Sequence, residues 1–253
     1  MLREYDSGHL NTQHATRNTA ILVAAGKGTR MGPNVDKLFL EVAGKPIVVH
    51  TWSRFAAAKC IDEIILVVRD GMQSAFQEMA DKFSLKKKPY RLVVGGEERQ
   101  DSVWNGLEFV APTAEIVAIQ DAARPCTSEA LIEATIVAAR ETGAAVAAQH
   151  MTDTVKESAD GKVIERTLDR SRLWSVQTPQ TFRVEVIKRA LAEVRRKRLL
   201  VTDDTAACEL TGQPVRLVVS AQPTQKSPGR RICPILMPSC KMTFSPRIWH
   251  TLC

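Results

Sequence analysis

The sequence lacks the long apolar segments of membrane proteins and the paired cysteines of zinc-binding proteins. No apolar run approaches the roughly 20 residues of a membrane span, and the N-terminus has no apolar signal segment. The six cysteines form no CxxC pair and no cysteine and histidine spacing typical of a zinc site. We therefore expect a cytoplasmic protein without membrane contact, and its 253 residues suffice for one large or two small domains.

Acidic residues are absent from residues 221–253, which hold five lysines and arginines. This segment accounts for +5 of the net charge of +7 and leaves +2 for the preceding chain. A second basic run, residues 195–198, stands at the end of a predicted helix, where cations complement the helix dipole and are solvated. The location of the charge therefore argues against a nucleic-acid-binding protein.

The most informative stretch is an apolar run that ends in a glycine-rich turn. Residues 20–25, Ala-Ile-Leu-Val-Ala-Ala, are followed by Gly26 and Gly28, and then by Arg30 and Lys37. The run fits a buried strand of a parallel sheet, whose carboxyl end faces a ligand cleft. The glycines let backbone N–H groups approach an anion, and the two cations suit a polyphosphate. An ordinary strand-to-helix turn with solvated cations would show the same GxG pattern.

Two familiar phosphate-binding loops do not match this turn. The dinucleotide fingerprint requires a third glycine where Arg30 stands. The Walker loop ends in Gly-Lys followed by Ser or Thr, whereas the order here is Lys27-Gly28-Thr29. The sequence therefore indicates a third kind of nucleotide site.

The chain alternates between apolar runs and amphipathic segments. Predicted strands cover 21–23, 63–68, 90–94, 115–120, 144–148 and 214–219. Predicted helices cover 46–55, 72–82, 103–110, 128–142, a stretch from 184, and 202–210. This order predicts an α/β fold with a Rossmann-like, mostly parallel sheet flanked by helices. We expect the strand at 144–148 to complete this sheet, and one last strand to follow at 214–219.

Residues 149–172 interrupt this order. Polar and apolar residues alternate on both sides of the turn signal Ala159-Asp160-Gly161, which predicts a β-hairpin. Such a hairpin has too little core of its own, so we expect a protruding arm that lies on a partner.

Two further loops follow predicted strands and should reach the same sheet edge as the glycine turn. Residues 95–102, Gly-Gly-Glu-Glu-Arg-Gln-Asp-Ser, form a two-glycine turn before a helix that Asp101 or Ser102 would cap. Asp121 follows the strand at 115–120, where a carboxylate can anchor a magnesium ion or a substrate hydroxyl. Capping of the next turn is the simpler role for this carboxylate.

Four blocks of sequence, taken in order, resemble one known family. They are Ala24-Ala25-Gly26-x-Gly28-x-Arg30-Met31 with Lys37, residues 95–103, Asp121-Ala122-Ala123-Arg124-Pro125, and Thr178-Pro179-Gln180. Over residues 19–226 the chain resembles the 2-C-methyl-D-erythritol 4-phosphate cytidylyltransferases, which are nucleotidyltransferases of the non-mevalonate route of isoprenoid biosynthesis. The resemblance implies that the chain joins CTP to this polyol phosphate and releases pyrophosphate. It also implies Mg²⁺ as the divalent cation, bound mainly by the CTP phosphates.

The resemblance further implies roles for individual residues. Arg30 and Lys37 would be catalytic, because they stabilise negative charge on the phosphates. The nucleotide would be bound by Ala24, Ala25, Gly26, Gly28, Gly96, Glu97 and Ser102. The polyol phosphate would be bound by Asp121, Arg124, Arg170, Thr178, Thr202 and Lys226. In the family the arm, residues 149–172, joins a homodimer, so Arg170 would reach the active site of the partner subunit.

Composition and resemblance together divide the chain into three parts. Residues 1–18 would be a mobile N-terminal extension and residues 19–226 the nucleotidyltransferase domain. After Lys226 the family expects Val-Thr-Arg-Pro-Glu-Asp-Leu-Pro, whereas residues 227–234 read Ser-Pro-Gly-Arg-Arg-Ile-Cys-Pro. Codons for the first string produce the second when read one nucleotide out of phase, so we interpret residues 227–253 as an aberrant, frameshifted tail. Resequencing that finds no family-like frame in the shifted phase would reject this hypothesis.

Three alternatives remain open at this point. A cytidylyltransferase for another polyol phosphate, such as ribitol 5-phosphate, would share the nucleotide half of the site. A relative whose altered C-terminus abolishes catalysis would bind CTP without turnover. A basic nucleic-acid binder would require salt-dependent retention of DNA or RNA.

Overall fold

The computed structural model describes residues 17–26 and 36–220, so most of the predicted extension and the predicted tail lie outside the described residues. In chain order, the strands are β1 (Arg17–Ala24), β2 (Glu41–Val42), β3 (Lys45–Pro46), β4 (Glu63–Val68), β5 (Tyr90–Val94), β6 (Ala114–Asp121), β7 (Ala144–His150), β8 (Lys156–Glu157), β9 (Arg166–Thr167), β10 (Trp174–Arg183) and β11 (Arg216–Val219). The helices are α1 (Ile47–Ala57), α2 (Gln73–Lys82), α3 (Arg99–Glu108), α4 (Glu129–Thr142), α5 (Val184–Lys197) and α6 (Asp204–Glu209), with a 3-10 helix at Arg170–Arg172. None of the helices described here has the length and apolar character required to cross a membrane.

Seven of the described strands form one sheet in the order β11-β7-β10-β6-β1-β4-β5. Strand β1 pairs in parallel with β4 and β6, β4 pairs in parallel with β5, and β11 pairs in parallel with β7. Strand β10 runs antiparallel to both β6 and β7. The prediction of a mostly parallel sheet flanked by helices is therefore confirmed.

The apolar runs become strands because helices cover both faces of the sheet. All six residues of β4 are buried, with Ile64 and Leu66 in the apolar cluster on one face and Ile65 and Val67 in the cluster on the other. Helices α1, α2 and α4 contribute to the first cluster, and α3, α5 and α6 to the second. Burial on both faces explains why continuous rather than alternating apolar runs mark these strands.

The prediction that residues 144–148 complete the sheet is wrong, because β10 inserts between β6 and β7. Thr178, Gln180 and Thr181 in β10 are polar and yet buried, so no apolar run marks this strand in the sequence. Hydrogen bonds satisfy such side chains: the hydroxyl Oγ1 of Thr181 donates to Oγ1 of Thr135 over 3.0 Å. The place of β10 therefore depends on partners from distant parts of the chain.

Helix α3 begins at Arg99, earlier than the sequence predicts. Glu98 is its N-cap residue, and Asp101 Oδ2 accepts a hydrogen bond from the backbone N of Glu98 over 3.1 Å as one half of a capping box. The prediction that Asp101 or Ser102 is the N-cap residue is wrong, because both lie inside the helix, and Asp101 contributes to capping from within the first turn. The earlier start places Arg99 in the first turn, next to the two-glycine turn.

The predicted arm contains a shorter hairpin than its alternating pattern suggests. Strands β8 and β9 pair over two residues each, and residues 149 and 150 belong to β7 instead. Asp160 Oδ1 accepts hydrogen bonds from the backbone N of Lys162 over 2.8 Å and of Val163 over 3.0 Å, which shapes the turn at the predicted place. That this arm joins two copies of the chain in a homodimer stays a prediction.

Candidate functional site

A cavity of about 210 Å³ opens at the carboxyl ends of β1 and β6, the edge at which open parallel sheets bind ligands. Its walls come from the end of β1, the segment before β2, the turn before α3, and the end of β6. The lining residues are Val23, Ala24, Ala25, Gly26, Lys37, Leu38, Gly96, Glu97, Glu98, Arg99, Ser102, Asp121, Ala122 and Ala123. The loops that the sequence predicts to share a sheet edge therefore meet at one cavity.

The turn after β1 and the turn after β5 approach each other closely beside this cavity. The backbone N of Gly95 donates to the carbonyl O of Val68 over 2.8 Å, which continues the pairing of β4 and β5 into the turn. A Cβ atom at Gly95 would collide with Cβ of Ala25 and lie 2.8 Å from Oγ of Ser102. Glycine is needed at this position because a side chain has no space.

Ser102 holds the turn between β5 and α3 in shape. Its Oγ accepts a hydrogen bond from the backbone N of Gly96 over 3.1 Å and donates one to the carbonyl O of Glu98 over 3.2 Å. Ser102 is only 3% exposed, whereas Gly96 and Glu97 are exposed on the cavity wall. The buried serine therefore supports a turn whose outer residues face the cavity.

Lys37 lines the cavity directly after Asp36, and contacts of Asp36 fix this part of the chain. Asp36 Oδ1 accepts a hydrogen bond from the backbone N of Leu38 over 3.0 Å. Asp36 Oδ2 forms an ion pair with Nη2 of Arg69, which follows β4 directly. Since Leu38 is also buried, the backbone is held on both sides of Lys37.

Asp121 lies at the centre of a charged cluster at the end of β6. Arg99 Nε lies 3.3 Å from Asp121 Oδ1, and Arg124 Nε lies 3.3 Å from Asp121 Oδ2. The backbone N of Asp121 donates to Oγ1 of Thr178 over 3.2 Å. Arg99 Nη2 also lies 2.9 Å from Oδ2 of Asp204, the first residue of α6. Arg99 therefore joins two carboxylates from different elements.

Burial and charge act in opposite directions on two members of this cluster. Burial raises the pKa of Asp204, which is 1% exposed, and the nearby Arg99 opposes that rise. Burial lowers the pKa of Arg99, but the carboxylates of Asp204 and Asp121 outweigh this effect and raise it. The two carboxylates therefore hold Arg99 in its cationic form.

Most of the predicted site residues come together in the structure. Those that line the cavity are Ala24, Ala25, Gly26, Lys37, Gly96, Glu97, Ser102 and Asp121. Arg124 and Thr178 both contact Asp121 and so belong to the same cluster.

Of the remaining predicted residues, Thr202 and Arg170 are not among those that line the cavity, and three others lie outside the described residues. Thr202 is exposed in the segment before α6. Arg170 is exposed in the 3-10 helix, and its Nη1 donates to the carbonyl O of Thr152 over 2.7 Å within the same arm. Gly28, Arg30 and Lys226 lie outside the described residues.

Sequence reasoning missed Arg69, Arg99 and Asp204. Arg99 stands inside a block that carries the family resemblance. A cation in the first turn of a helix, beside a predicted ligand-binding turn, could have indicated a site residue. No local signal marks Arg69 or Asp204, because each is defined by a partner far away in the sequence, Asp36 and Arg99 respectively.

Sequence comparisons connect the chain with proteins of one name. A profile of the family described as 2-C-methyl-D-erythritol 4-phosphate cytidylyltransferase matches residues 18–226. The chain is 40% identical over 203 residues to the protein of that name from Pelotomaculum thermopropionicum, covering 80% of this chain and 85% of the relative. It is 41% identical over 199 residues to the one from Geobacillus kaustophilus, covering 79% and 86% of the two chains.

Structure comparisons lead to the same group of proteins. The 4-diphosphocytidyl-2C-methyl-D-erythritol synthase of Anaerococcus prevotii is similar with a TM-score of 0.73 and 30% identity, over 83% of this chain and 92% of the other. The 2-C-methyl-D-erythritol 4-phosphate cytidylyltransferase of Thermus thermophilus is similar with a TM-score of 0.69 and 28% identity, over 89% and 98% of the two chains.

Proposed function

Because this chain belongs to the 2-C-methyl-D-erythritol 4-phosphate cytidylyltransferase family, we propose that it transfers the cytidylyl group of CTP to 2-C-methyl-D-erythritol 4-phosphate. The products are 4-diphosphocytidyl-2-C-methyl-D-erythritol and pyrophosphate. The observation that carries this proposal is the convergence of Lys37, the two glycine-containing turns and the Asp121 cluster on one cavity. The names of the relatives favour this acceptor over ribitol 5-phosphate.

The nucleotide half of the site is the wall formed by the end of β1 and the turn before α3. Small residues and exposed backbone groups on this wall suit a base and its ribose. The residues assigned to it are Ala24, Ala25, Gly26, Gly96, Glu97 and Ser102, with Gly28 added from the sequence pattern. Lys37, and Arg30 from the sequence pattern, are assigned to the triphosphate.

The acceptor half is assigned to the cluster at the end of β6. Arg124 supplies a positive charge for a phosphate, and Asp121 is a carboxylate that can accept a hydrogen bond from a substrate hydroxyl. The remaining assignments, Thr178, Thr202, Arg170 and Lys226, extend this half from the sequence pattern. The contacts of Asp121 with Arg124 and Thr178 support the grouping.

The reaction requires alignment and charge more than proton transfer. A phosphate oxygen of the acceptor attacks the α-phosphorus of CTP, a new P–O bond forms, and the bond to the leaving pyrophosphate breaks. The attacking oxygen is already an anion near neutral pH, so the step needs no general base. The protein must therefore align two polyanions and stabilise the charge that develops on the α-phosphate, which is the role of Lys37 and Arg30.

Magnesium fits this site as an ion carried by the triphosphate. Among residues 17–26 and 36–220, no group of three or more His, Cys, Asp and Glu side chains is arranged to hold a metal. Mg²⁺ usually keeps several waters and binds through one or two carboxylates together with substrate phosphates. Asp121 is the candidate carboxylate, and the bound ion would neutralise part of the phosphate charge.

The arm is proposed to join two copies of the chain. Val163 and Ile164, just after the turn of the hairpin, are 68% and 61% exposed, which suits side chains that a second copy covers. In such a homodimer, Arg170 of each copy would serve the acceptor site of the other. Since CTP is a cytoplasmic metabolite, the use of CTP supports a cytoplasmic location.

Purified protein with CTP and Mg²⁺ is expected to release pyrophosphate on addition of 2-C-methyl-D-erythritol 4-phosphate, and on the order of 10-fold or more slowly with ribitol 5-phosphate. Excess EDTA should stop the release, and Mg²⁺ in excess over EDTA should restore it. Faster release with ribitol 5-phosphate would overturn the acceptor assignment. CTP binding without release would instead support the alternative of a chain that binds CTP without turnover.

The substitution Gly95→Ala is expected to weaken CTP binding on the order of 10-fold, because overpacking of this kind costs about 1–3 kcal/mol. The added Cβ forces apart the two turns that form the nucleotide half, since it collides with Ala25 and crowds Ser102. Isothermal titration calorimetry with CTP measures the change.

A reciprocal swap provides the matched control for this prediction. In the double variant Gly95→Ala with Ala25→Gly, the methyl group that collides with the new Cβ is removed, so CTP affinity should recover in part. Equal losses in the single and double variants would show that the close approach of the two turns is not the cause.

A further inference from the structure

Two consecutive residues at the start of α3 reach from the nucleotide turn toward the acceptor half of the site. Arg99 contacts Asp121 at 3.3 Å and Asp204 at 2.9 Å. Gln100 holds the segment between α5 and α6 from the other side: its Nε2 donates to the carbonyl O of Leu199 over 2.9 Å, and its Oε1 accepts from the backbone N of Val201 over 3.0 Å. The first turn of α3 thus links the elements on which the acceptor residues stand.

The charges around Arg99 argue against a direct contact with a phosphate. Arg99 and Arg124 together carry two positive charges, and Asp121 and Asp204 carry two negative charges when ionised. Two of the guanidinium nitrogens of Arg99 are already aimed at carboxylate oxygens. A cation held in this way orients its carboxylates more than it attracts a further anion.

We propose that Arg99 and Gln100 are positioning residues for the acceptor: Arg99 orients Asp121 and anchors the start of α6, and Gln100 fixes the segment that leads to Thr202. This inference rests on the proposed function, because the acceptor residues are those assigned above. In this proposal both residues act through their neighbours: Arg99 lines the cavity, but its guanidinium group is engaged by Asp121 and Asp204.

Two variants separate positioning from folding. Arg99→Gln alone would leave the buried carboxylate of Asp204 without its cation, which destabilises a folded chain. The double variant Arg99→Gln with Asp204→Asn replaces the ion pair by two neutral side chains of similar size. Gln100→Ala removes two hydrogen bonds and leaves no buried charge, so it tests the proposal even if the double variant does not fold.

The control substitution is Arg140→Gln, which removes an arginine that likewise joins two side chains but lies at the amino ends of the strands. Arg140 Nε lies 3.1 Å from Oε2 of Glu115, and its Nη2 donates to Oδ1 of Asn18 over 2.8 Å. Both partners stand near the amino ends of their strands, away from the cavity. This variant should keep wild-type kinetics.

Steady-state pyrophosphate release and CTP calorimetry measure the outcome. The double variant should raise KM for 2-C-methyl-D-erythritol 4-phosphate or lower kcat on the order of 10-fold to 100-fold. The reason is that misplacement of a substrate by about 1 Å can lower the reaction rate 10²-fold. Gln100→Ala should raise the same KM on the order of 3-fold to 10-fold by the same effect. The Kd for CTP should stay within about twofold in both, as expected for groups that do not contact the nucleotide.

Three results would overturn the proposal in distinguishable ways. Unchanged acceptor kinetics in a folded double variant and in Gln100→Ala would show that neither residue positions the acceptor. A parallel loss of CTP affinity would show that Arg99 contacts the nucleotide directly. A wild-type protein that binds CTP but turns over no polyol phosphate would remove the proposed function and this inference with it.

Discussion

Replacing Lys37 by alanine is expected to lower kcat for pyrophosphate release by about 10² to 10³-fold, the loss of about 2.7–4 kcal/mol that removal of one preorganised charge-stabilising group costs. Lys37 lines the cavity, and Asp36 and Leu38 hold the backbone on both sides of it. The backbone that carries its ammonium group is therefore fixed before the charge on the α-phosphate develops. The measurement is steady-state release from CTP and 2-C-methyl-D-erythritol 4-phosphate.

Two further variants define what the loss at Lys37 means. Lys87→Ala removes an exposed lysine in the segment before β5 and should leave kcat unchanged. Lys37→Arg keeps the charge but changes its shape and reach, so an intermediate rate is expected. A Lys37→Ala protein that keeps more than a tenth of the wild-type rate and melts at the wild-type temperature would contradict the assignment of Lys37 to catalysis.

Replacing Trp52 by alanine is expected to lower the free energy of unfolding by about 3–5 kcal/mol. The side chain is fully buried in the apolar cluster to which α1, α2 and α4 contribute, and its ring packs edge-on against Tyr90 with centroids 5.1 Å apart. Removal of the indole leaves a cavity that these neighbours fill only in part. Urea denaturation followed by circular dichroism gives the change.

The variant Trp52→Phe separates the volume of this side chain from its polar atom. Within the described residues, the buried Nε1 of Trp52 has no hydrogen-bond partner, and a group of this kind costs about 1–3 kcal/mol. Phenylalanine removes that cost while it keeps part of the aromatic volume, so the net loss should stay below about 1.5 kcal/mol. Equal losses for phenylalanine and alanine would reject this explanation.

The parallel strands and their flanking helices were accessible from the sequence for a local reason. A strand covered on both faces, such as β4, carries a continuous apolar run, here residues 64–68, and this pattern needs no knowledge of the rest of the chain. Asp121 ends β6, and the glycines at positions 26, 95 and 96 come within two residues of the ends of β1 and β5. Their meeting at one cavity follows from the rule that parallel strands present their carboxyl ends at one sheet edge.

By itself, therefore, the sequence determined the α/β class, the sheet edge that holds the site, and the family to which the chain belongs. Only the tertiary structure decided that β10 lies between β6 and β7, because buried polar residues such as Thr181 become acceptable through partners such as Thr135. It likewise decided that Arg99 joins Asp121 to Asp204. An ion pair depends on the distance between atoms in space, and that distance is set by packing of elements that lie far apart along the chain.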